Sequence, residues 1–568
     1  MNLRSVLFTA GLEEIISNLN ANPSLGQIGG FVTVENKDSK VIGVITDADI
    51  RRARKKDNLD NLNALDICRK DFIRIYDFQN PLEASNYFKD QLNVRNVKNN
   101  FPISYIPILN KDDKLVQIMH ISQLMDVIGE YLQEVVIIGL GFVGLTLAAA
   151  LAKLGLQVIG IENNEFKYNA ILEKRPQVFE PQLVEILENT ISKNFLIKKN
   201  IEEIVDVRIP NSRRIYIITV GTPVDGLGVN LNHLVSATDA ILTDLKQGDL
   251  VITRSTVPVG STRNIIGRKI QDQTGYLPGR DFHLISAPER TIEGRAIEEI
   301  NNLPQLVGGF SDSCTATAVS FFSKVSPSIV SMESLEACEF AKLMSNAYRD
   351  VNFNFSNEMA YLASQHNIDI NNVIRNSNVG YPRNQIAKPS PGVGGPCLVK
   401  DSWILLSNMR KLSSSLLMSA RKFNSDFMNH LVSTLGDSIT KEDKIIALGL
   451  AFKGNPVTND FRDSSGLSIC ENLKSKSYEI YGYDSMLNSE IKSNIEISIV
   501  NSLTNLDFIP SVILILNNNE ENRLNALKLF KKYPKDIRLI FDPWQMLESD
   551  LNQINNIVYV TLSKKMVL

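Results

Sequence analysis

Cys397 and Asp401 stand four residues apart at the end of a glycine-rich run, Pro391-Gly392-Val393-Gly394-Gly395-Pro396. Residues without a Cβ let backbone come close to a ligand and tolerate positive φ. Pro396 suits the first position of a helix, where a missing N–H costs nothing. A helix starting there places Cys397 in its first turn, where unpaired N–H groups and the positive dipole end favour a thiolate. Asp401, at i+4, shares that helix face. By residue type this is a low-pKa thiol beside a carboxylate, able to act as a nucleophile. The bland alternative is a buried cysteine after a glycine turn.

A second glycine pattern, Gly139-Leu140-Gly141-Phe142-Val143-Gly144, lies between the apolar run 134–138 and an Ala/Leu-rich helical stretch. A further apolar run, 157–161, ends at Glu162. G-x-G-x-x-G between a strand and a helix, with an acid about 20 residues on, is the dinucleotide pattern. Gly139 permits the tight turn, Gly141 clears space for a pyrophosphate at the helix start (Phe142, Val143), and Gly144 lets helix and strand pack. Glu162 is suited to accept the adenosine ribose hydroxyls and to repel a 2′-phosphate, which favours NAD over NADP.

The elements that position these residues alternate β and α. Apolar runs at 215–223, 250–258, 283–289 and 305–309 end in small or hydroxyl residues. Ligands sit beyond the carboxyl ends of such strands, so Thr222, Thr256, Glu289 and Glu293 are expected to face one crevice, with Gly221 and Ser255 beside them as cofactor contacts. Residues 332–365 read as one helix without Pro or Gly, roughly 50 Å at 1.5 Å per residue, long enough to join two domains. Lys342 and Asn346 are i,i+4 neighbours on it. After about residue 440 a second α/β unit begins, with strand patterns at 444–450, 478–484, 512–515 and 538–542. It lacks G-x-G-x-x-G. Lys453 and Arg462 lie near a strand end, where cations could hold an anionic ligand.

Ahead of these, residues 1 to about 132 read as two weak copies of a helix–strand–turn–strand–helix unit. The first copy carries Gly43-Val44-Ile45-Thr46-Asp47-Ala48-Asp49-Ile50; in the second, His120 and Gln123 stand where Thr46 and Asp49 stand in the first. The repeat resembles a pair of CBS motifs, a regulatory module that often binds adenine nucleotides. By that resemblance Thr46 and Asp49 contact a ribose, and one nucleotide site at most is expected. A structural or oligomerising role is the alternative.

With 568 residues the chain should fold as several domains. A net charge of −3 gives no general attraction to nucleic acid or anionic membranes. Five scattered cysteines and five histidines without ligand spacing argue against a metal site and suit a reducing cytoplasm. Glu13 and Glu14 follow a short apolar run unlike a signal peptide, and the run 145–161 is too short to span a bilayer. The expectation is a cytoplasmic protein without membrane or nucleic-acid partners.

Residues 134 to about 560 resemble the UDP-glucose/GDP-mannose dehydrogenase family of nucleotide-sugar 6-dehydrogenases. The resemblance is carried by the glycine pattern at 139–144, Ser255-Thr256-Val257-Pro258-Val259-Gly260, Ala287-Pro288-Glu289-Arg290, Ala341-Lys342-Leu343 with Asn346, Gly394-Gly395-Pro396-Cys397 with Asp401, and 449–454 through Asp460-Phe461-Arg462. It implies an α/β chain with two Rossmann-like doubly wound domains joined by a long central helix, preceded by the α+β CBS-like pair. The implied domains are 1–133 regulatory, 134–330 NAD-binding, 331–435 central with the cysteine loop and dimerisation, and 436–568 nucleotide-sugar-binding. It implies oxidation of a C6 hydroxyl to an acid with two NAD used in turn. Cys397 would be the nucleophile, Lys342 and Asn346 would stabilise the oxyanion, Asp401 with Thr256 would position water, and Glu289 or Glu293 would act as base. Lys400 joins the cofactor contacts; Arg383, Gly394, Gly395, Phe452, Lys453 and Arg462 are the implied substrate contacts. The residues at 346–352 and 382–384 look closer to dehydrogenases of UDP-N-acetylmannosamine and UDP-N-acetylglucosamine, for surface polysaccharide precursors. Pro396 and Lys400 lean instead toward the UDP-glucose and GDP-mannose branches. A homodimer or higher homo-oligomer is implied. The competing class is a nucleotide-sensing protein on a degenerate dehydrogenase scaffold; the intact Cys397, Lys342, Asn346 and Asp401 set argues against it.

Overall fold

The structure, a computed structural model, describes residues 4–20, 30–53, 62–77, 91, 104–120, 133–205, 213–225, 228–407, 414–488, 492–493, 495–553 and 556–567. They fall into two compact units. One holds Met1–Gln133, Ile209–Arg213 and Thr315–Ser331; the other holds Glu134–Arg208, Arg214–Cys314 and Met332–Leu568.

The first unit contains a structural duplication. Strand Ser5–Leu7 runs parallel to Phe31–Glu35, which pairs antiparallel with Val41–Thr46. Strands Ile75–Tyr76, Tyr105–Leu109 and Leu115–His120 repeat that pattern. Each hairpin shifts register at the same place, Val34/Glu35 and Ile108/Leu109. Each turn is built on an asparagine whose side-chain oxygen accepts two backbone N–H groups, an Asx turn. Asn36 takes those of Asp38 (3.0 Å) and Lys40 (2.9 Å); Asn110 takes those of Asp112 and Lys114 (both 2.9 Å). Each turn then ends on a left-handed residue, Ser39 (φ 59°) and Asp113 (φ 62°). The expected helix near 82–88, the helix after His120, and Gln123 lie outside the described residues.

In the second unit, strands Gln305–Gly309, His283–Ser286, Leu250–Thr253, Arg213–Ile218, Gln133–Ile138, Gln157–Ile161 and Phe195–Lys198 lie side by side in that order. Arg213–Ile218, Leu250–Thr253 and His283–Ser286 pair in parallel, as do Gln133–Ile138, Gln157–Ile161 and Phe195–Lys198, while His283–Ser286 and Gln305–Gly309 are antiparallel. Chain order reverses between Gln133–Ile138 and Arg213–Ile218, so a crevice opens at their carboxyl ends. These strands are apolar on both faces, as helices covering both sides require: Val136, Ile138, Ile159, Tyr216, Ile218 and Val251 share one buried cluster, and the alternate residues Val135, Ile137, Ile215, Ile217 and Ile252 are buried as well. A second sheet runs Ser498–Ile499, Glu479–Tyr483, Lys444–Leu448, Val512–Ile515, Leu539–Phe541, Val558–Val560, Lys565–Val567, parallel save its last pair. Each sheet is a doubly wound α/β fold.

Between the two sheets in sequence runs one 30-residue helix, Leu335–Ser364, about 45 Å long at 1.5 Å per residue. It starts three residues later than its apolar pattern because Ser334 takes the N-cap position, its side chain accepting the Ala337 N–H (3.0 Å). Its buried face carries polar groups as well as apolar ones: Lys342, Asn346, Asp350, Asn354 and Asn357. On other turns Phe340, Met344, Tyr348, Phe355 and Leu362 are exposed, Tyr348 by 58 %. Among the described residues no helix is long and apolar enough to cross a membrane.

Candidate active site

The first glycine loop has the geometry its spacing demands. Gly139 has φ 92° and donates its N–H to the Ile161 carbonyl (2.9 Å). A Cβ on Gly144 would lie 1.9 Å from the Gly139 carbonyl oxygen, so only glycine lets helix Phe142–Lys153 sit this close. A Cβ on Gly141 would meet nothing within 4 Å; the space above it is open, as a pyrophosphate over the helix N-terminus needs. The Glu162 carboxylate is aimed by the Leu140 N–H (3.0 Å) and the Asn164 N–H (2.9 Å), each on a different oxygen. Each oxygen keeps a lone pair for a ribose hydroxyl. On the neighbouring strands, the Thr222 hydroxyl donates to the Thr256 carbonyl (2.6 Å), and Ser255 donates to the Val220 carbonyl (2.7 Å). Gly221, Thr222, Ser255 and Thr256 thus lie together on the tied loops after strands Arg213–Ile218 and Leu250–Thr253. These residues fit a dinucleotide.

The second glycine loop differs from its expected reading. What approaches Gly394 and Gly395 so closely is protein. A Cβ on Gly394 would stand 2.5 Å from the Asp463 carbonyl, and one on Gly395 (φ 91°) 2.6 Å from the Phe452 ring; the Gly395 N–H donates to Asp463 (3.0 Å). Asn357 accepts the Ser390 N–H (2.8 Å) and Asn424 the Val393 N–H (2.7 Å), fixing the loop from two helices. The following helix is Leu398–Leu406, with Cys397 as its N-cap residue and Pro396 ahead of it. Cys397 is therefore at the helix mouth, not inside its first turn, and it makes no side-chain cap bond.

The thiol is exposed on its outer side, yet the protein packed behind it raises its pKa. Desolvation is the largest cause and the Asp401 carboxylate the next, while Lys342 and Lys400 pull the other way. A low-pKa thiolate was the expectation from the helix dipole; a carboxylate one turn on and a desolvating wall outweigh it. At rest the sulfur is protonated and needs a base.

Around it the helices deliver a connected set. Asn346 donates to Asp401 Oδ2 (2.6 Å), Lys400 to Asp401 Oδ1 (2.9 Å), and Lys342 is buried on the same face of the long helix as Asn346. Lys400, expected against the cofactor, spends its ammonium on Asp401. One turn beyond Asn346, Asp350 is fully buried and accepts from Arg421 (2.6 Å), Asn354 (2.9 Å) and Ser402 (3.0 Å). This ion pair, absent from the sequence reading, ties helices Leu335–Ser364, Leu398–Leu406 and Leu416–Gly436 together behind Asp401. Burial pushes Asp350 up and Arg421 down, each against the other's charge.

The two glutamates separate clearly. Arg254 grips Glu289 Oε2 through Nε (2.9 Å) and a terminal nitrogen (2.5 Å), and the Arg290 and Thr291 N–H groups occupy Oε1 (2.7 and 2.8 Å). Burial alone would raise its pKa, but Arg254 and those two N–H groups outweigh burial and hold it below its ordinary value. Glu289 is a locked carboxylate. Glu293 instead accepts one side-chain hydrogen bond among the described residues, from the Thr458 hydroxyl (2.9 Å). Burial and then Asp460 push Glu293 up to about 7, against Thr458, Lys453 and Arg462. That value suits a base working near neutrality.

Lys453 donates to the Glu293 carbonyl (2.6 Å), and burial brings its ammonium down to about 8. Arg462 is spread over both oxygens of Asp460 (Nε at 2.9 and 3.1 Å). A cavity of about 470 Å³ is lined by Gly141, Phe142, Glu293, Asp460, Phe461 and Arg462, among others, so both sheets wall it. Arg383 is not drawn in: it is exposed, bonds the Tyr381 hydroxyl (2.8 Å) and stacks on that ring. In the first unit, Asp49 is buried and already accepts from the Thr46 N–H (2.9 Å), the Thr46 hydroxyl (2.6 Å), Arg52 and Arg69 (3.2 Å). It caps its own helix, and its oxygens are not free for a ribose.

Three family models match in chain order: the NAD binding domain of the UDP-glucose/GDP-mannose dehydrogenase family over residues 133–326, its central domain over 336–426, and its UDP binding domain over 446–549. A UDP-N-acetyl-D-mannosamine dehydrogenase from Pyrococcus horikoshii is 31 % identical over 357 residues, 62 % of this chain and 83 % of the relative. An NDP-N-acetyl-D-galactosaminuronic acid dehydrogenase from Ralstonia nicotianae is 28 % identical over 346 residues, 59 % of this chain and 79 % of that protein. The solved structure of a UDP-D-ManNAc dehydrogenase from Pyrococcus horikoshii superposes with a TM-score of 0.66 at 27 % identity, covering 76 % of this chain and 99 % of its own.

Proposed function

Because the chain belongs to the UDP-glucose/GDP-mannose dehydrogenase family and is an NAD-dependent nucleotide-sugar 6-dehydrogenase, we propose that it oxidises the C6 alcohol of a UDP-N-acetylhexosamine to the acid through Cys397. The observation that carries the cysteine route is the Asn346–Asp401–Lys400 set built around an exposed thiol at a loop fixed from both sides. The N-acetyl preference rests on the relatives' names and on residues 346–352 and 382–384. The product would serve surface polysaccharide synthesis.

NAD, when bound, supplies the oxidant for both steps, one molecule after the other. The first two-electron step turns the alcohol into an aldehyde, its hydroxyl proton passing through Glu293 to solvent. Glu293 takes the Cys397 proton and passes it to solvent as the sulfur adds to the C6 carbonyl carbon, leaving an oxyanion that Lys342 and Asn346 face. The second two-electron step leaves a thioester. Asp401, held by Asn346 and Lys400, orients a water; Glu293 accepts its proton and returns it to the departing sulfur as the C–S bond breaks, so the acid departs with the thiol restored. Lys453 and Arg462 are the cations for the nucleotide sugar.

The test is NADH formed to completion with UDP-N-acetylmannosamine, UDP-N-acetylglucosamine, UDP-glucose and GDP-mannose. Two NADH per sugar are expected with an N-acetyl substrate only. Two per UDP-glucose, which Pro396 and Lys400 favour, would keep the route and overturn the substrate.

The exposed apolar row on the long helix supports a homodimer, since a monomer rarely leaves so regular a stripe uncovered. Light scattering on the wild type should give twice the chain mass, and Tyr348→Glu should shift it toward one. A monomeric wild type would end that reading.

A further inference from the structure

We propose that Thr458 is a positioning residue for Glu293: its hydroxyl holds the carboxylate of a loop on the nucleotide-binding sheet from a loop on the other sheet, so the base is aligned only when the two loops meet. This rests on the reading of Glu293 as the base. The geometry makes the contact one-sided. Thr458 is buried and donates to Glu293 Oε2 (2.9 Å), while its oxygen accepts the Asp460 N–H (3.2 Å), which sets the direction of its own proton. Glu293 has no other side-chain hydrogen bond among the described residues.

The surrounding contacts hold the two loops in register. Asn459 donates to the Gln177 carbonyl (2.5 Å) and accepts the Phe179 N–H (3.1 Å). Glu180 in turn accepts the Gly294 N–H (2.8 Å), and a Cβ on Gly294 would stand 2.4 Å from the Val457 carbonyl. Residues 455–460 therefore seat against both 177–180 and 293–294. The titratable groups acting on Glu293 are Lys453, Asp460 and Arg462 from that side and the neutral thiol of Cys397 from the nucleophile loop. None of them donates a hydrogen bond to its carboxylate. A hydroxyl at 458 is the group that fixes which oxygen faces the cavity.

The hydroxyl favours the charged carboxylate, so removing it moves the base's titration to higher pH. Thr458→Val is expected to lower kcat roughly tenfold with KM for NAD and sugar nearly unchanged, and to move the acid limb of the kcat/KM profile upward from about 7. Thr458→Ser, which keeps the hydroxyl, is expected to restore both; Thr458→Ala replaces the valine variant where that one does not fold. Glu293→Gln separates the two levels. If Glu293→Gln keeps the wild-type acid limb, the base reading falls and this inference with it. If Glu293→Gln loses the limb while Thr458→Val and Thr458→Ala keep it in place, or if Thr458→Ser shifts it as far as they do, the positioning role alone is overturned.

Discussion

Cys397→Ala is expected to cut sugar-dependent NADH formation by about a thousandfold or more, the usual scale for removing a nucleophile from a covalent mechanism. The reason lies in the intermediate. An aldehyde can leave the site or hydrate, whereas a thiohemiacetal is tethered in place for the second oxidation. Intact-mass measurement of an Asp401→Asn variant, in which water is poorly oriented, should show the sugar attached through one thioester. The alanine variant should show none. If Cys397→Ala still forms two NADH per sugar at more than about a tenth of the wild-type rate, the aldehyde is being oxidised as its hydrate and the cysteine is a bystander; one NADH per sugar with free aldehyde would keep the cysteine's role. The raised thiol pKa sharpens the test. A thiol that is protonated at rest reacts slowly with iodoacetamide, and alkylation should speed up as pH rises past neutrality, since only the thiolate attacks.

The second large effect is on stability. Arg421→Met leaves the Asp350 carboxylate buried without its cation, and stranding one partner of a buried ion pair costs about 3–5 kcal/mol. The midpoint of urea unfolding should fall accordingly. Adding Asp350→Asn should recover much of the loss, because a neutral amide can still bond Asn354 and Ser402 without a charge to strand. A single Arg421→Met within about 0.5 kcal/mol of wild type would mean that Asp350 takes up a proton at little cost, the direction in which burial already pushes it. Activity should fall with stability in the single variant, as Ser402 adjoins Asp401 on the same helix.

Local patterns were enough for the sheets, the first glycine loop and the long helix. Gly139, Gly141 and Gly144 do their work within six residues, and a strand such as Gln157–Ile161 announces itself by its own apolar run. The duplication in the first unit was legible because both hairpins repeat the same asparagine turn. What stayed hidden depends on partners far along the chain. Glu289 and Glu293 look alike in sequence; Arg254, 35 residues before the first, locks that one, and Thr458, 165 residues after the second, orients the other. Gly394 and Gly395 read as a ligand cradle because nothing nearby shows that Phe452 and Asp463 will fill the space. The helix dipole argued for a thiolate at Cys397, but burial and Asp401 act through the folded site. Thr458 lies two residues before Asp460 in a quoted motif, and the hydroxyl beside the acid was the one local sign that could have drawn notice.

The contact of Gly394 and Gly395 with Asp463 and Phe452 also bears on the order of synthesis. A ribosome releases the thiol, the lysine, the amide and the carboxylate more than 50 residues before it releases the wall that shapes their loop. Domains tend to fold as they emerge, amino-terminal parts first. An unfinished or clipped chain ending near residue 450 thus owns every reacting side chain and no surface to set the loop against. By this reading the chemistry switches on only with the last fifth of the polypeptide, and a partial chain would not start an oxidation that it is unable to complete.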